Sequence, residues 1–568
     1  MRVSKIKIII LALFLILILR LAYLQAVKGN FYYSLSNKNC IRVIPVGGAR
    51  GKILDHSGEP IADNQISYCI SILPIEFRQS KETISKLSAL IGKRAEQINK
   101  IIKNNLISAF TPIMLEKGVD KRTAFLIEEN KLDLPGVIVQ VLPARSYPYK
   151  GAAAHLLGYL GEIDRWRITR LKDYGYKIKD IIGFGGIEQQ MEQVLRSREG
   201  GTQIQVDHRG RAVRTLGFRA SAAGEDVSLT IDIKIQKIIE DSFAGRKGAA
   251  VLMEADTGRI IALVSSPGFY PGAFLDAESS DYIRGILSNS DAPLLNRAVS
   301  GQYPFGSVFK IISTVAALEK KKITPEKRFF CPGMLMVGPK QFNCWSRHDS
   351  QDLREAIAHS CNVYFYHLAL ILGADYLSEY ALKFGLGRPT GIDLPYEVSG
   401  NVPSMLARRM KLRNWYDGDT ANFGIGQGDL LVSPVQAVRF MSAIANGGKL
   451  VTPYLIERAA GKDSSPKPPI QLGIDRKSLQ IAIEGMRQVV NLDTGTANIG
   501  GWSGLKVAGK TGTAQVHNKL SHGWFVGFFP YDKPKIVFCF FLENTGPSIH
   551  AVILAQQVFN RMKEDNLM

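Results

Sequence analysis

The sequence predicts a multidomain α/β (α+β) protein with a single N-terminal membrane helix, a mixed middle region and a larger C-terminal domain. Three observations predict it. The chain has 568 residues, more than one hydrophobic core organises, because single cores stop growing at about 250–300 residues. Ile8–Leu19 (IIILALFLILIL) is apolar throughout. Strand-like text begins after Asp226 and returns near the C-terminus, with helical text between, so one sheet is expected to be built from the two ends of that segment.

The composition, 46% hydrophobic and 21% charged, excludes wholesale disorder. A net charge of +20 suits nucleic acid, an anionic membrane surface or an anionic substrate. No zinc-finger, helix-turn-helix or aromatic-stacking pattern occurs, and the basic residues are spread along the chain, which argues against nucleic acid. The membrane surface fits better. After Arg20 the apolar pattern continues through Leu24, long enough to span a bilayer. Arg2, Lys5 and Lys7 precede it, so residues 1–7 are expected in the cytoplasm, residues 8–26 in the membrane and the rest outside. A cleaved signal peptide is the alternative, but the run is long for one and no A-x-A site follows. Six cysteines, at 40, 69, 331, 344, 361 and 539, are too few to staple a chain of this size. Cys69 and Cys539 sit in strand-like runs and read as small buried hydrophobes, while Cys40 has no evident partner.

From Asn39 to Ala222 short strand-like pieces (IRVIPV, VIVQVLP) alternate with a basic helical stretch near residues 85–105, and no nucleophile meets a base. This region reads as a spacer or binding platform. Beyond Asp226, VSLTIDIKIQKIIEDSF reads as a strand and a helix, and KGAAVLMEADTGRIIALVSSP as a hairpin turning at Asp256-Thr257-Gly258. Further on, KVAGKTGTAQV, GWFVGFFP and KPKIVFCFFLE are strand-like and Ile549–Met562 helical. Three prolines within Ser464–Pro469 make that stretch a loop.

Three short motifs carry the chemistry. In YPFGSVFK, Ser307 and Lys310 fall one helical turn apart if Ser307 begins a helix, and a desolvated lysine can act as base for a serine nucleophile. In AHSCNVYFY, Ser360 and Asn362 project the same way from an extended loop, where a hydroxyl can relay a proton and an amide can hold a peptide bond. In VAGKTGTAQV, Lys510 and Gly512 share one side of a strand. Gly512 would admit a substrate backbone, and Lys510, Thr511 and Thr513 would offer a cation and hydroxyls to a carboxylate. Each motif is weak alone, but the three in this order are the signature of penicillin-binding proteins and β-lactamases. Other signatures fail: Gly501-Trp502-Ser503-Gly504 is too short for a nucleophile elbow, and GGARGK misses the phosphate-loop spacing.

On these motifs the sequence resembles the class B penicillin-binding proteins of the elongation type, usually called penicillin-binding protein 2. Arg50–Ala62 (RGKILDHSGEPIA), Gly183–Glu188 (GFGGIE) and Gly424–Gly428 (GIGQG) followed by Ser433-Pro434-Val435-Gln436 are similar to further family segments. Two departures stand out: Phe305 and Val308 where members commonly read YPPGSTFK, and Asn362 where many carry Asp. Phe305 is expected to alter the cleft rim.

The resemblance implies a pedestal, dimerisation-like domain over 39–222 and a transpeptidase domain over 226–568, with an antiparallel sheet flanked by helices. It implies D,D-transpeptidation of peptidoglycan stem peptides through an acyl-enzyme, with β-lactams as inhibitors. Ser307 would be the nucleophile and Lys310 the base, although the base is debated for this motif family. Ser360 and Asn362 would relay protons and position substrate, and Lys510, Thr511 and Thr513 would receive the terminal carboxylate. The amides of Ser307 and Thr513 would form the oxyanion hole. A membrane-embedded SEDS-type glycosyltransferase and elongation-complex scaffold proteins are the implied partners, at the cytoplasmic (inner) membrane.

Cys331, Cys344, His348 and Cys361, separated by twelve, three and twelve residues, are a plausible tetrahedral zinc set; a disulfide plus a free thiol is the competing reading. Elongation-type members carry a zinc site that these positions resemble, which favours the metal. Because Cys361 lies between Ser360 and Asn362, an ion there would be structural and would hold the loop presenting both. A β-lactam-sensing receptor would need further spans, a D,D-carboxypeptidase would lack the long N-terminal region, and the Cys/His insert with YFY argues against a division-type enzyme.

Overall fold

The computed structural model describes the chain apart from residues 1, 78, 107–111, 172–175, 177–179, 207–211, 277–278, 411, 413 and 503. Ser503 and the side chain of Cys40 therefore lie outside the described part. The N-terminal helix Arg2–Ala22 continues as a wider turn, Tyr23–Val27. Ile6–Val27 is the one helical stretch, among the described residues, long and apolar enough to cross a membrane.

The chain forms two compact units that no single cut separates. One comprises Met1–Gly51, Asn64–Arg145 and Arg196–Gly224; the other comprises Lys52–Asp63, Ser146–Leu195 and Glu225–Met568. In the first, the helices Lys81–Ile91, Ala95–Asn105 and Lys121–Glu129 bury Ile84, Leu87, Ile98, Ile102 and Ile127 with Ile70 and Ile72 of an adjoining strand. Ser80 and Asp120 start two of these helices by accepting the amides of Thr83 and Thr123. A separate three-stranded antiparallel sheet joins Ile41–Val46, Gly200–Val206 and Ala212–Arg219.

The second unit is built on a five-stranded antiparallel sheet. Its strands are β1 (Gly248–Glu254), β2 (Ile260–Ser266), β3 (Ala508–Val516), β4 (Lys519–Phe529) and β5 (Ile536–Leu542), in the order β2-β1-β5-β4-β3. The sheet thus joins the two ends of this segment, as its sequence predicts. Ala249–Met253 in β1 and Val537–Leu542 in β5 are fully buried, which explains why both read as continuous apolar runs instead of alternating: helices cover both faces. Helix α1 (Ile233–Phe243), capped by the Asp232 carboxylate, packs with the last helix of the chain, while the apolar helix Pro434–Ala445 contacts β1, β4 and β5. Helices α2 (Lys310–Glu319), α3 (Leu353–Ala358), α4 (Asn362–Leu372), α5 (Pro434–Ala445), α6 (Arg476–Asn491) and α7 (Ile549–Glu564) are the helices of this unit that bear on the site. Residues 464–469 carry no regular structure, as three prolines dictate. Cys69 and Cys539 are buried free thiols in strands.

Candidate active site

Ser307 does not cap a helix. It sits inside a tight 3₁₀ turn, Gly306–Phe309, whose chain passes directly into α2 at Lys310. The turn is held where backbones cross at glycines. Gly306 adopts φ 59°, its amide donates to Gly426 O at 2.8 Å, and a Cβ on it would lie 2.9 Å from Thr513 O. A Cβ on Gly426 would overlap Gly306 O. Gly512 in β3 meets the same turn, since its Cβ would stand 2.9 Å from Val308 Cγ2 and 3.0 Å from Phe305 O. The glycine of the KTGT segment therefore lets the Ser307 turn pack directly against this strand.

Phe305 is not at a rim. It is fully buried, edge-on to Trp524 and Phe440 at centroid distances of 5.4 and 6.1 Å, while Trp524 Nε1 donates to Pro304 O at 3.0 Å. This apolar base leaves Ser307 partly accessible, and Ser307 Oγ has no hydrogen-bond partner among the described residues.

Lys310 is fully buried and converges on the second motif. Its Nζ donates to Ser360 O at 2.7 Å, Asn362 Oδ1 at 2.7 Å and Ser360 Oγ at 3.3 Å. Burial lowers its pKa to about 8, against the opposing pull of Cys361 and Cys344. The Ser360 segment is not extended. Helix α3 closes with Cys361 N donating to Ala356 O and Ser360 N to Ile357 O, which places Ser360 at φ 51°, a left-handed conformation that favours glycine. Asn362 then opens α4. Ser360 and Asn362 still face the same amine, through this turn instead of strand alternation. Asn362 Nδ2 also donates to Asn343 O at 3.3 Å, where Tyr366 OH adds a bond of 3.2 Å.

In the third motif Lys510 is fully buried too, donating to Thr511 O at 3.0 Å. Burial, reinforced by the charge of Lys310, holds its pKa well below the ordinary value. Thr511 is buried, its hydroxyl 2.8 Å from Thr496 Oγ1. Thr513 is exposed and accepts Ser548 N at 3.2 Å. Of the three side chains expected to meet a carboxylate, only Thr513 opens to solvent. Thr496, Ser548, Gln427, whose amide lies 3.5 Å from Thr513 O, and Trp345, whose indole donates to His359 O at 3.0 Å, join the site without a motif to announce them. Gln427 alone stood in a recognisable segment, GIGQG.

Behind the Ser360 turn, the ligand atoms of Cys331, Cys344, His348 and Cys361 lie within 4.8 Å of one another. His348 Nδ1 is 3.7 Å from Cys331 Sγ and 3.5 Å from Cys344 Sγ. Tetrahedral zinc with ordinary Zn–S and Zn–N bonds separates sulfur and nitrogen by about 3.6 Å, so the donors already stand at ligand spacing. Asn362 N donates to Cys344 Sγ and Tyr364 N to Cys361 Sγ, bonds that support thiolate charge. The proximity of the two sulfurs holds the Cys344 thiol well below its ordinary pKa and pushes that of Cys361 up. The three cysteines are free thiols. Asp55, His56 and Asp232 form a second cluster, but Asp55 and Asp232 accept backbone amides and so are committed to structure.

The penicillin-binding protein transpeptidase domain family matches residues 248–563, and the penicillin-binding protein dimerisation domain family matches residues 45–229. Peptidoglycan D,D-transpeptidase MrdA of Haemophilus influenzae is 32% identical over 94% of this chain and 87% of its own length. The chain is an elongation-type class B penicillin-binding protein. MrdA of Escherichia coli is likewise 32% identical, over 96% of this chain and 91% of its own. Among solved structures, penicillin-binding protein 2 of Helicobacter pylori in complex with MreC superposes with a TM-score of 0.82 at 28% identity, covering 93% of this chain and all of that one. A peptidoglycan synthase complex that coordinates polymerization and crosslinking contains a chain with a TM-score of 0.74 at 27% identity, covering 98% and 97%. The class B fold of an N-terminal dimerisation domain and a transpeptidase domain agrees with the expectation from sequence.

Proposed function

We propose that this chain is a serine D,D-transpeptidase that cross-links peptidoglycan stem peptides during cell-wall elongation. The observation that carries the residue assignments is the convergence of a buried amine of lowered pKa, Lys310, on Ser360 and Asn362, three residues after an accessible, unpartnered serine. Ser307 Oγ attacks the carbonyl of the penultimate D-Ala as its proton passes to neutral Lys310. The amides of Ser307 and Thr513 carry the developing oxyanion. The C–N bond breaks, terminal D-Ala leaves with a proton delivered through Lys310 and Ser360, and an ester remains on Ser307. An amine of a second stem peptide attacks that ester and restores the serine. Thr513 receives the donor carboxylate at the surface, with Lys510 and Thr511 buried behind it. β-Lactams acylate the same serine. Fluorescent penicillin should label one peptide, containing Ser307, and Ser307→Ala should abolish labelling; label retained in that variant overturns the assignment.

The chemistry and spacing of Cys331, Cys344, His348 and Cys361 fit structural zinc, which would fix the Ser360 turn from behind. One zinc per chain is expected by metal quantification, and a Cys361→Ala protein with full metal content and full acylation would rule this role out. The apolar Ile6–Val27 helix supports a single-pass anchor in the cytoplasmic membrane, with the preceding basic residues in the cytoplasm. The similarity to the MreC-bound relative and to the synthase complex supports a scaffold protein and a SEDS-type glycosyltransferase as partners.

A further inference from the structure

Helix α6 carries a groove on its outer face that the catalytic chemistry does not use. The cavity has a volume of about 440 Å³, with Ile444, Leu479 and Ile483 as its apolar floor and Arg476, Arg487 and Tyr531 around it. Both arginines are exposed, and among the described residues neither has an acidic partner. The carboxylate that also lines the groove, Glu484, is bound by Arg354 at 2.7 Å. The groove therefore presents uncompensated positive charge beside apolar surface. Arg487 lies over the Tyr531 ring at 5.7 Å, an arrangement that holds the guanidinium at one end.

The spacing of the two cations defines what fits. Arg476 and Arg487 are eleven residues apart in one helix, about 16 Å at the helical rise. Carboxylates four residues apart on an extended peptide stand about 13 Å apart, and the long arginine side chains make up the rest. A single small anion cannot reach both, and a cleft of this size takes a short peptide segment or a drug-sized ligand, not a folded domain. We propose that the groove docks an extended acidic segment of a partner protein, with carboxylates about four residues apart and aliphatic side chains between them. The complementarity is of charge and length together: carboxylates meet Arg476 and Arg487, and the aliphatic groups cover Ile483 and Tyr531, which are only partly buried. None of the lining residues belongs to the three motifs, so the proposal does not rest on the acyl-enzyme reading.

The test uses the full-length, detergent-solubilised protein and an amide-capped fluorescent peptide, Asp-Leu-Ala-Leu-Glu, followed by anisotropy. Saturable binding is expected, weakening as salt rises from about 0.05 to about 0.5 M, and falling at least about tenfold in Arg476→Glu/Arg487→Glu. The doubly reversed protein is expected to prefer Lys-Leu-Ala-Leu-Lys. Arg476→Glu alone should give a partial loss, and wild-type penicillin labelling of each variant reports its fold. Absence of saturable binding, equal affinity in the double variant, equal binding of the lysine peptide to the wild type, or loss of binding when Ser307 is acylated would each overturn the proposal.

Discussion

On the proposed roles, Lys310 sets the pH behaviour of the site. Its pKa of about 8 arises from burial, which penalises the ammonium form, so the fraction able to accept the Ser307 proton grows as pH rises. Penicillin acylation is expected to increase about tenfold per pH unit below 8 and to level off above it; a flat profile between about pH 6 and 9 would remove Lys310 from the base role. Ser360 separates strain from chemistry. At φ 51° a side chain costs about 1–2 kcal/mol that glycine avoids, so Ser360→Gly is expected to be more stable than Ser360→Ala by about 1 kcal/mol. Both should acylate slowly because both lack the hydroxyl beside Lys310, and melting curves with labelling rates distinguish the two effects.

At the scale of elements, the 3₁₀ turn and β3 act as one unit because Gly512 lets them touch. Gly512→Ala pushes on Val308 and the Phe305 carbonyl, so penicillin labelling should fall markedly while helical content, read by circular dichroism, is retained. Phe305→Ala empties a fully buried site between Trp524 and Phe440 and is expected to cost about 3–5 kcal/mol of stability. The motifs were legible because they are short and ordered, and helix α1 because KIQKIIEDSF follows a strand-like run. The burial of Phe305 and the true neighbour of Gly512 were not legible, because each depends on a strand more than two hundred residues away in sequence folding back over the turn. For the same reason Thr496 and Ser548 had no local signal: they enter the site from loops beside α6 and α7.

At the scale of the molecule, the Cys/His cluster and the sheet each join distant parts of the catalytic unit. The Cys/His cluster brings residues 331–348 against the turn at 361, so on the proposed zinc reading chelation should lower the melting temperature by at least about 4 °C and slow acylation, with both restored by added zinc. Unchanged melting after the metal is stripped would count against a structural ion. The sheet has a consequence for synthesis on the ribosome. Strand β1, fully buried over Ala249–Met253, pairs on one side with its hairpin partner β2, but its other neighbour, β5, is translated roughly 290 residues later, about 15–60 s at ordinary elongation rates. During that interval an apolar edge waits with half its hydrogen bonds unmade, so a nascent chain halted before Leu542 carries the complete Ser307 and Ser360 motifs and yet should bind no penicillin.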